Sequence, residues 1–463
     1  MTTAPLSRLP PSAGANQHGG LRSHVQHRIG PVHFSSTRGT GCVFNVSVES
    51  YALTSEDQAI LALESAIVVG HTCKVILVGA GAPRLADLRA RVAERLESTP
   101  ALTRRLAETP AGPAWVSDDR FDLAAHVTEM PGAPREPATV RSVVADVFAE
   151  RLDRSRPLWR IDLVPVHGGG AALVWRVHHA LADGTTLMRY AHDLLWDPSP
   201  TAGPAHRHAL SHADDDARRR AHLGGFVVRE FARTRDSSPF AGRIGTRREI
   251  AFASTGLDRL HLAAKRLCGA TLNDAVLTSV AGGLRRWVLE HHGHLGTVRV
   301  KVPVSLHDGN NDAANRDSFF SINLSLNEPD PVARLRETQA ATSVRKADDD
   351  AQTMDRLLRH LSDISPSLAR LCARIERSPR SFAVNVSNVP GPRVPVTLLG
   401  APVDALYSIA EISERHALRV AVISYGDTLS FGICADPVIV EHVQTIAEGI
   451  EAEARALSAA TPA

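Results

Sequence analysis

Two adjacent histidines stand in the run Val177-His178-His179-Ala180-Leu181-Ala182-Asp183-Gly184. Imidazole takes and gives up a proton near neutral pH, so either histidine is a candidate general base. Asp183 invites comparison with a His-Asp dyad, and Gly184 clears space for backbone or substrate. His178, His179 and Asp183 are also metal-ligand types. No second cluster supplies further ligands at good spacing, because His206, His208, His212 and His222 lie in a charged stretch. No metal site is therefore expected. The sequence shows no G-x-S-x-G elbow and no cysteine in a reactive context, which disfavours nucleophilic catalysis through a covalent intermediate. It shows no Gly-rich phosphate loop either, which disfavours nucleotide hydrolysis.

Such a pair needs a rigid support. Residues Ala171 to Val177 alternate, with Leu173, Trp175 and Val177 on one face, and predict a half-buried strand. Thr185 to Trp196 carries Leu187, Tyr190, Ala191, Leu194 and Leu195 at helical spacing. The histidines thus sit where a strand hands over to a helix. Upstream, Trp159, Ile161 and Leu163 alternate before Gly168-Gly169-Gly170, which predicts a hairpin. Thr54 or Ser55 caps a first helix, with Asp57 and Gln58 three residues on in capping-box style. Lys74 to Val78 reads as a strand, and Leu85, Leu88, Val92 and Leu96 as a helix stripe.

The second half carries a helix from Thr271 to His291 and a strand with Val298, Val300, Val302 and Val304 on one face. Asn273 and Asp274 follow Thr271 at this helix start. There Thr271 is the N-cap, and Asp274 favours the helix dipole. A polar helix start can also aim groups into a binding channel. Phe382, Val384 and Val386 read as a strand that ends in Ser387-Asn388-Val389-Pro390-Gly391-Pro392, a rigid turn that could fix Asn388. Leu418 to Tyr425 and Leu429 to Ile433 read as a hairpin around Gly426-Asp427. Asp436-Pro437 is expected to cap the last helix, whose stripe is Val440, Val443, Ile446 and Ile450. Mixed strands and helices in both halves predict an α/β or α+β class.

Composition bounds the partners. The 463 residues suffice for two domains or one two-lobed unit, and 43% of them are hydrophobic. The 52 basic and 50 acidic side chains nearly balance, which argues against nucleic acid as a partner. The 5 cysteines lack any C-x-x-C pair, which reads as a reduced, intracellular chain without zinc. No apolar run reaches the roughly 18 residues of a spanning helix, and no signal peptide is visible. Four segments are expected: a disordered extension over 1–48, a first lobe over 49–196, a linker over 197–248 and a second lobe over 249–458. The linker carries Asp214 to Asp216 and Arg218 to Arg220, with a helix expected around Gly225 to Thr234.

The histidine run resembles the active-site motif of the acyl-CoA-dependent acyltransferase superfamily, which includes chloramphenicol and carnitine acyltransferases and peptide-synthetase condensation domains. The flanking segments narrow this. Arg156-Pro157-Leu158-Trp159, Leu272-Asn273-Asp274 and Ser387 to Pro392 occur in an order that resembles the bacterial wax ester synthase/diacylglycerol acyltransferase family. Leu53 to Asp57, Phe121-Asp122-Leu123 and Val302 to Leu306 extend the likeness to about residues 50 to 455. It implies two chloramphenicol-acetyltransferase-like lobes of mixed sheets and flanking helices, with an active-site tunnel between them. It places the general base on His179 and makes His178 a shaping residue. It makes Asp183 architectural, paired with an arginine. It links Asn273 and Asp274 to activity.

The implied reaction moves a long-chain acyl group from acyl-CoA, a co-substrate, to diacylglycerol or a fatty alcohol, with no cofactor. The chain would work in the cytoplasm, peripheral to the inner membrane or lipid droplets. Rivals are transfer to a polyketide or peptide hydroxyl or amine, and a catalytically weak lipid binder. The sequence departs from the family pattern at Gly70-His71-Thr72-Cys73, Arg160 and Ala314-Asn315.

Overall fold

The computed structural model describes residues 28–34, 46–198, 238–305, 317–347 and 381–460. The chain opens with β1 (Arg28–Phe34), β2 (Val46–Ala52), α1 (Ser55–Leu61), β3 (His71–Val78) and α2 (Leu85–Arg95). Next come β4 (Arg104–Thr109), β5 (Gly112–Ser117), α3 (Leu123–His126), β6 (Val127–Glu129), α4 (Val140–Ala149), β7 (Trp159–Val166), β8 (Gly170–His178) and α5 (Gly184–Leu194). The second half holds β9 (Glu249–Gly256), α6 (Leu257–Cys268), α7 (Leu272–His291), β10 (Thr297–Ser305), β11 (Asp317–Ser325) and α8 (Pro331–Ala347). It ends with β12 (Val384–Val389), β13 (Thr397–Leu398), β14 (Ala401–Ala410), β15 (Leu418–Tyr425), β16 (Thr428–Ala435) and α9 (Gln444–Ala459).

The strands form three sheets among the described residues. One has the order β1-β2-β5-β4. The second runs β13-β14-β3-β8-β7-β6 and carries the histidines. The third runs β11-β10-β12-β15-β16-β9. Both larger sheets mix parallel and antiparallel pairs, as β6–β7 and β12–β15 are parallel. The mixed α/β class expected from the sequence is therefore observed.

The hairpin that delivers the histidines forms as its glycines predict. Val166 pairs with Gly170, and the turn between them holds Gly168 at φ 87° and Gly169 at φ 80°. Two successive left-handed residues favour glycine, which has no β-carbon to clash. Leu173, Trp175 and Val177 of β8 join Leu187, Tyr190, Ala191 and Leu194 of α5 in one core cluster. Ala172 and Val174 face the other way, toward Phe148 of α4, in a cluster that runs through the third sheet to α7 and α9. Helices α7 and α9 cross closely: a β-carbon on Gly283 would lie 2.6 Å from the Ile446 carbonyl oxygen.

Several expectations are corrected. β8 is buried along both faces rather than half-buried. Its second face carries Arg176 and His178, polar residues that face the carboxylates of Asp162 and Glu64. The expected second lobe is not self-contained, because β13 and β14 return to the first sheet, where β14 pairs with β3. Sheet pairing is non-local, so no local pattern marked this crossing. Arg28 to Phe34 and Val46 to Val48 form strands inside the segment expected to lack structure. The end of the expected linker is packed: Phe240 and Ile244 are core residues, and Arg248 is ion-paired to Glu411 at 2.9 Å. Asp436 accepts the Val438 and Ile439 N–H groups and so caps a turn, while α9 begins only at Gln444. Asp214 to Asp216, Arg218 to Arg220, the helix expected near Gly225 and Ala314-Asn315 lie outside the described residues.

Candidate active site

β8 ends at His178, and its register with β3 decides what the next residues meet. His71 pairs with His178 and Thr72 with Val177. The Leu158 carbonyl accepts the His178 N–H at 2.9 Å, and the Gly70 carbonyl accepts the His179 N–H at 3.0 Å. The backbone of both histidines is thus pinned from two sides. The chain then turns over His178. Leu181 and Ala182 donate their N–H groups to its carbonyl, and the Ala180 N–H donates to its Nδ1 at 3.2 Å. Asp183 stops the turn as the N-cap of α5, accepting the Thr186 N–H at 2.6 Å. Gly184 is the first helical residue. A β-carbon there would lie 2.9 Å from Val389 Cγ2. The space it clears is filled by the end of β12, so the motifs around 178–184 and 387–392 touch.

His178 is buried in a polar nest. Because Nδ1 accepts the Ala180 N–H, the ring proton belongs on Nε2. That atom faces Glu64 Oε2 at 3.6 Å. Gly70, at φ +73°, closes the ring in: a β-carbon there would lie 2.6 Å from Nε2. Arg151 and Arg154 each fork onto one Glu64 carboxylate oxygen, with their Nε atoms at 2.8 Å. Burial alone would raise the Glu64 pKa; the hydrogen bonds from Arg151 and Arg154 and the nearby His178 ring outweigh it and hold it at about 2. Glu64 is therefore a carboxylate at every physiological pH.

His179 is the first residue of the turn that follows β8. It is half-buried. Burial first, and then the positive charge of Arg419, pull its pKa down to about 4, while Asp183 acts in the opposite direction. The ring is therefore neutral at pH 7. Its own backbone also favours the proton. Lys74 on β3 is a buried ammonium that donates to Ser408 Oγ at 2.8 Å, and its Nζ would lie 3.9 Å from a β-carbon on Gly184. Burial lowers its pKa to about 8, against the raising fields of Cys73 and Asp183.

The remaining expected residues separate. Asp274 is buried and fully engaged. Its Oδ2 accepts the Thr271 N–H and O–H at 2.8 Å, and its Oδ1 accepts the Thr342 O–H at 2.6 Å. These bonds cap α7 and tie it to α8. Asn273 is half-buried beside it. Asn388 is exposed near the end of β12 and pairs with Val422. Pro390 is exposed, and Gly391 packs so tightly that a β-carbon would lie 2.1 Å from the Ser424 carbonyl oxygen. The Pro390-Gly391-Pro392 turn is thus locked onto β15. Arg160 pairs with Asp162, which also holds the buried Arg176. Two surface cavities, of about 610 and 300 Å³, are not lined by His179. No group of three or more metal-ligating side chains gathers among the described residues. Glu64, Lys74 and Arg419 escaped the sequence reading, and only strand register and loop closure bring them to the histidines.

The geometry can be set beside known proteins. Residues 53–236 match the wax ester synthase/diacylglycerol acyltransferase catalytic domain, and residues 313–458 match the WS/DGAT C-terminal domain. A Mycobacterium tuberculosis protein assigned as a diacylglycerol O-acyltransferase is 30% identical over 89% of this chain and 98% of its own length. The chain belongs to the wax ester synthase/diacylglycerol acyltransferase family. The O-acyltransferase WSD of Acinetobacter baylyi is 26% identical over 73% of this chain and 82% of the relative. The solved wax ester synthase/diacylglycerol acyltransferase of Marinobacter aquaeolei VT8 superposes with a TM-score of 0.65 at 23% identity, covering 88% of this chain and 98% of that one. The starter condensation domain of rhizomide synthetase, solved with C8-CoA, gives a TM-score of 0.58 at 12% identity, covering 88% and 94%. These two likenesses extend the two-lobed acyltransferase fold to this chain. Wax ester synthase/diacylglycerol acyltransferase membership makes it an acyltransferase enzyme.

Proposed function

We propose that this enzyme transfers a long-chain acyl group from acyl-CoA to the hydroxyl of diacylglycerol or of a fatty alcohol, with His179 as general base. The observation that carries the reading is His179 itself: a neutral imidazole at a rigid strand end, backed by a capped helix start. In this mechanism the His179 imidazole accepts the hydroxyl proton as the oxygen attacks the thioester carbonyl. A tetrahedral intermediate forms, and its collapse breaks the carbon–sulfur bond. The imidazolium then returns the proton to the departing CoA thiolate. Transfer is direct, with no acyl-enzyme and no cofactor. His178 and Asp183 hold the turn and do not touch the reacting atoms.

No helix among the described residues is long and apolar enough to cross a membrane. The proposal therefore includes access to insoluble acceptors at a lipid surface, on the cytoplasmic membrane face or on droplets. Arg248 cannot contribute to such a surface because it is buried against Glu411. Incubation of the purified protein with labelled palmitoyl-CoA and a panel of diacylglycerols, alcohols and amines tests the reaction. Labelled triacylglycerol or wax ester is expected. Labelled amide alone, or free acid alone, would refute the assignment.

A further inference from the structure

We propose that Glu64 is a positioning residue for acyl transfer, acting on His179 through His178. The inference rests on the reading of His179 as the base. Glu64 lies 114 residues before His178 in the chain, in the loop between α1 and β3. Its side chain is 2% exposed, whereas those of Arg151 and Arg154 are each 47% exposed. A carboxylate serving only as a surface clamp would stay in water, because burying it costs free energy unless it is fully paired. Here the carboxylate points inward and the two arginines follow it.

Its innermost neighbour is His178 Nε2. Two constraints act on that ring from opposite edges. Ala180 donates its N–H to Nδ1, so a proton on Nδ1 would set two hydrogens against each other. The Glu64 carboxylate attracts a proton on Nε2. Both demand the same tautomer and the same ring orientation. The loop that carries Glu64 also supplies the Gly70 carbonyl that holds the His179 N–H. One loop therefore fixes the ring of the first histidine and the backbone of the second. If His178 rotated, the Ala180 N–H would lose its acceptor, and the turn between His179 and the Asp183 cap would loosen. A base displaced by about 1 Å can lose about 100-fold in rate.

Glu64→Gln keeps the shape and removes the charge. We expect kcat per folded molecule to fall between about 10- and 100-fold, with KM for palmitoyl-CoA little changed and the melting temperature lowered by loss of the paired charge. A kcat per folded molecule equal to that of the wild type, or a loss fully explained by unfolding, would overturn the proposal. Nitrogen-15 spectroscopy of the histidines in the wild-type protein gives a test that needs no variant. His178 should show the Nε2–H tautomer, and an Nδ1–H signature would overturn the proposal. Should Glu64→Gln fail to fold, Arg151→Gln and Arg154→Gln loosen the same carboxylate singly and should each lower kcat; unchanged kcat in both would count against the idea. His179→Ala, assayed in parallel, separates the two readings. An inactive His179→Ala beside a fully active Glu64→Gln refutes only the role of Glu64, while an active His179→Ala removes the base on which that role rests.

Discussion

Gly184→Ala isolates the contact that joins the histidine turn to β12. The added methyl would start 2.9 Å from Val389 Cγ2. Ordinary carbon–carbon contacts lie at about 3.5–4.0 Å, so something must give by at least about 0.6 Å. Overpacking of this kind costs about 1–3 kcal/mol. Alanine recovers about 0.4–1 kcal/mol by restricting the unfolded chain. The backbone of Gly184 is not left-handed, so no conformational penalty is added. The expected net loss is about 1–2 kcal/mol. Turnover should fall as well, because the displaced residue follows the Asp183 cap. Val389→Ala removes the colliding atoms, so Gly184→Ala/Val389→Ala should be more stable than the sum of the single changes predicts. Thermal melts of the four proteins, with acyl transfer from palmitoyl-CoA assayed on each, complete the cycle. A Gly184→Ala protein as stable and active as the wild type, or strict additivity in the double variant, would refute the packing argument.

Further outcomes follow from the same geometry. His179 is neutral down to about pH 4, so the acid limb of kcat/KM should lie well below the usual imidazole value of about 6.5; a limb near 6.5 would contradict the environment described. The same depressed pKa means the unfolded chain binds the proton first. This stability contribution is full above about pH 6.5 and is lost as pH falls toward 4, which acid titration of the melting temperature measures. Asp274→Ala removes the capping box and the bond to Thr342, and should cost about 1–3 kcal/mol while leaving kcat per folded molecule intact. A stable but inactive Asp274→Ala would return that residue to the chemistry. Asp183→Asn retains an oxygen for the Thr186 N–H, so Asp183→Ala should be less stable than Asp183→Asn by about 1 kcal/mol in denaturant melts; equal stabilities would remove the cap argument. Flotation with anionic vesicles should carry the protein upward, and absence from every vesicle and droplet fraction would end the peripheral-lipid proposal.

Much of the fold could be read along the chain because its signals are local. The Gly168–Gly170 turn, the Thr54 and Thr271 caps and the two-residue turn at Gly426-Asp427 each depend on a few neighbouring residues. The position of the histidines at a strand-to-helix junction was legible for the same reason. What stayed hidden depends on contacts between distant segments. Alternation made Arg176 and His178 look solvent-facing, but Asp162 and Glu64 hold them inside. β14 carries no local mark that sends it back to β3, and it brings Ser408 to Lys74. Asp274 could be read as a cap or as a tunnel group, and Thr342 and Lys346 on α8 account for its second oxygen.

The central claim is that a neutral His179 removes the hydroxyl proton. The most direct measurement is single-turnover ester formation by His179→Ala, with labelled palmitoyl-CoA bound and the acceptor in excess. Loss of a general base lowers such a rate by about 100- to 10,000-fold, and the account predicts a loss in this range with palmitoyl-CoA binding and the melting temperature preserved. A folded His179→Ala protein that forms ester at a rate near that of the wild type would contradict it.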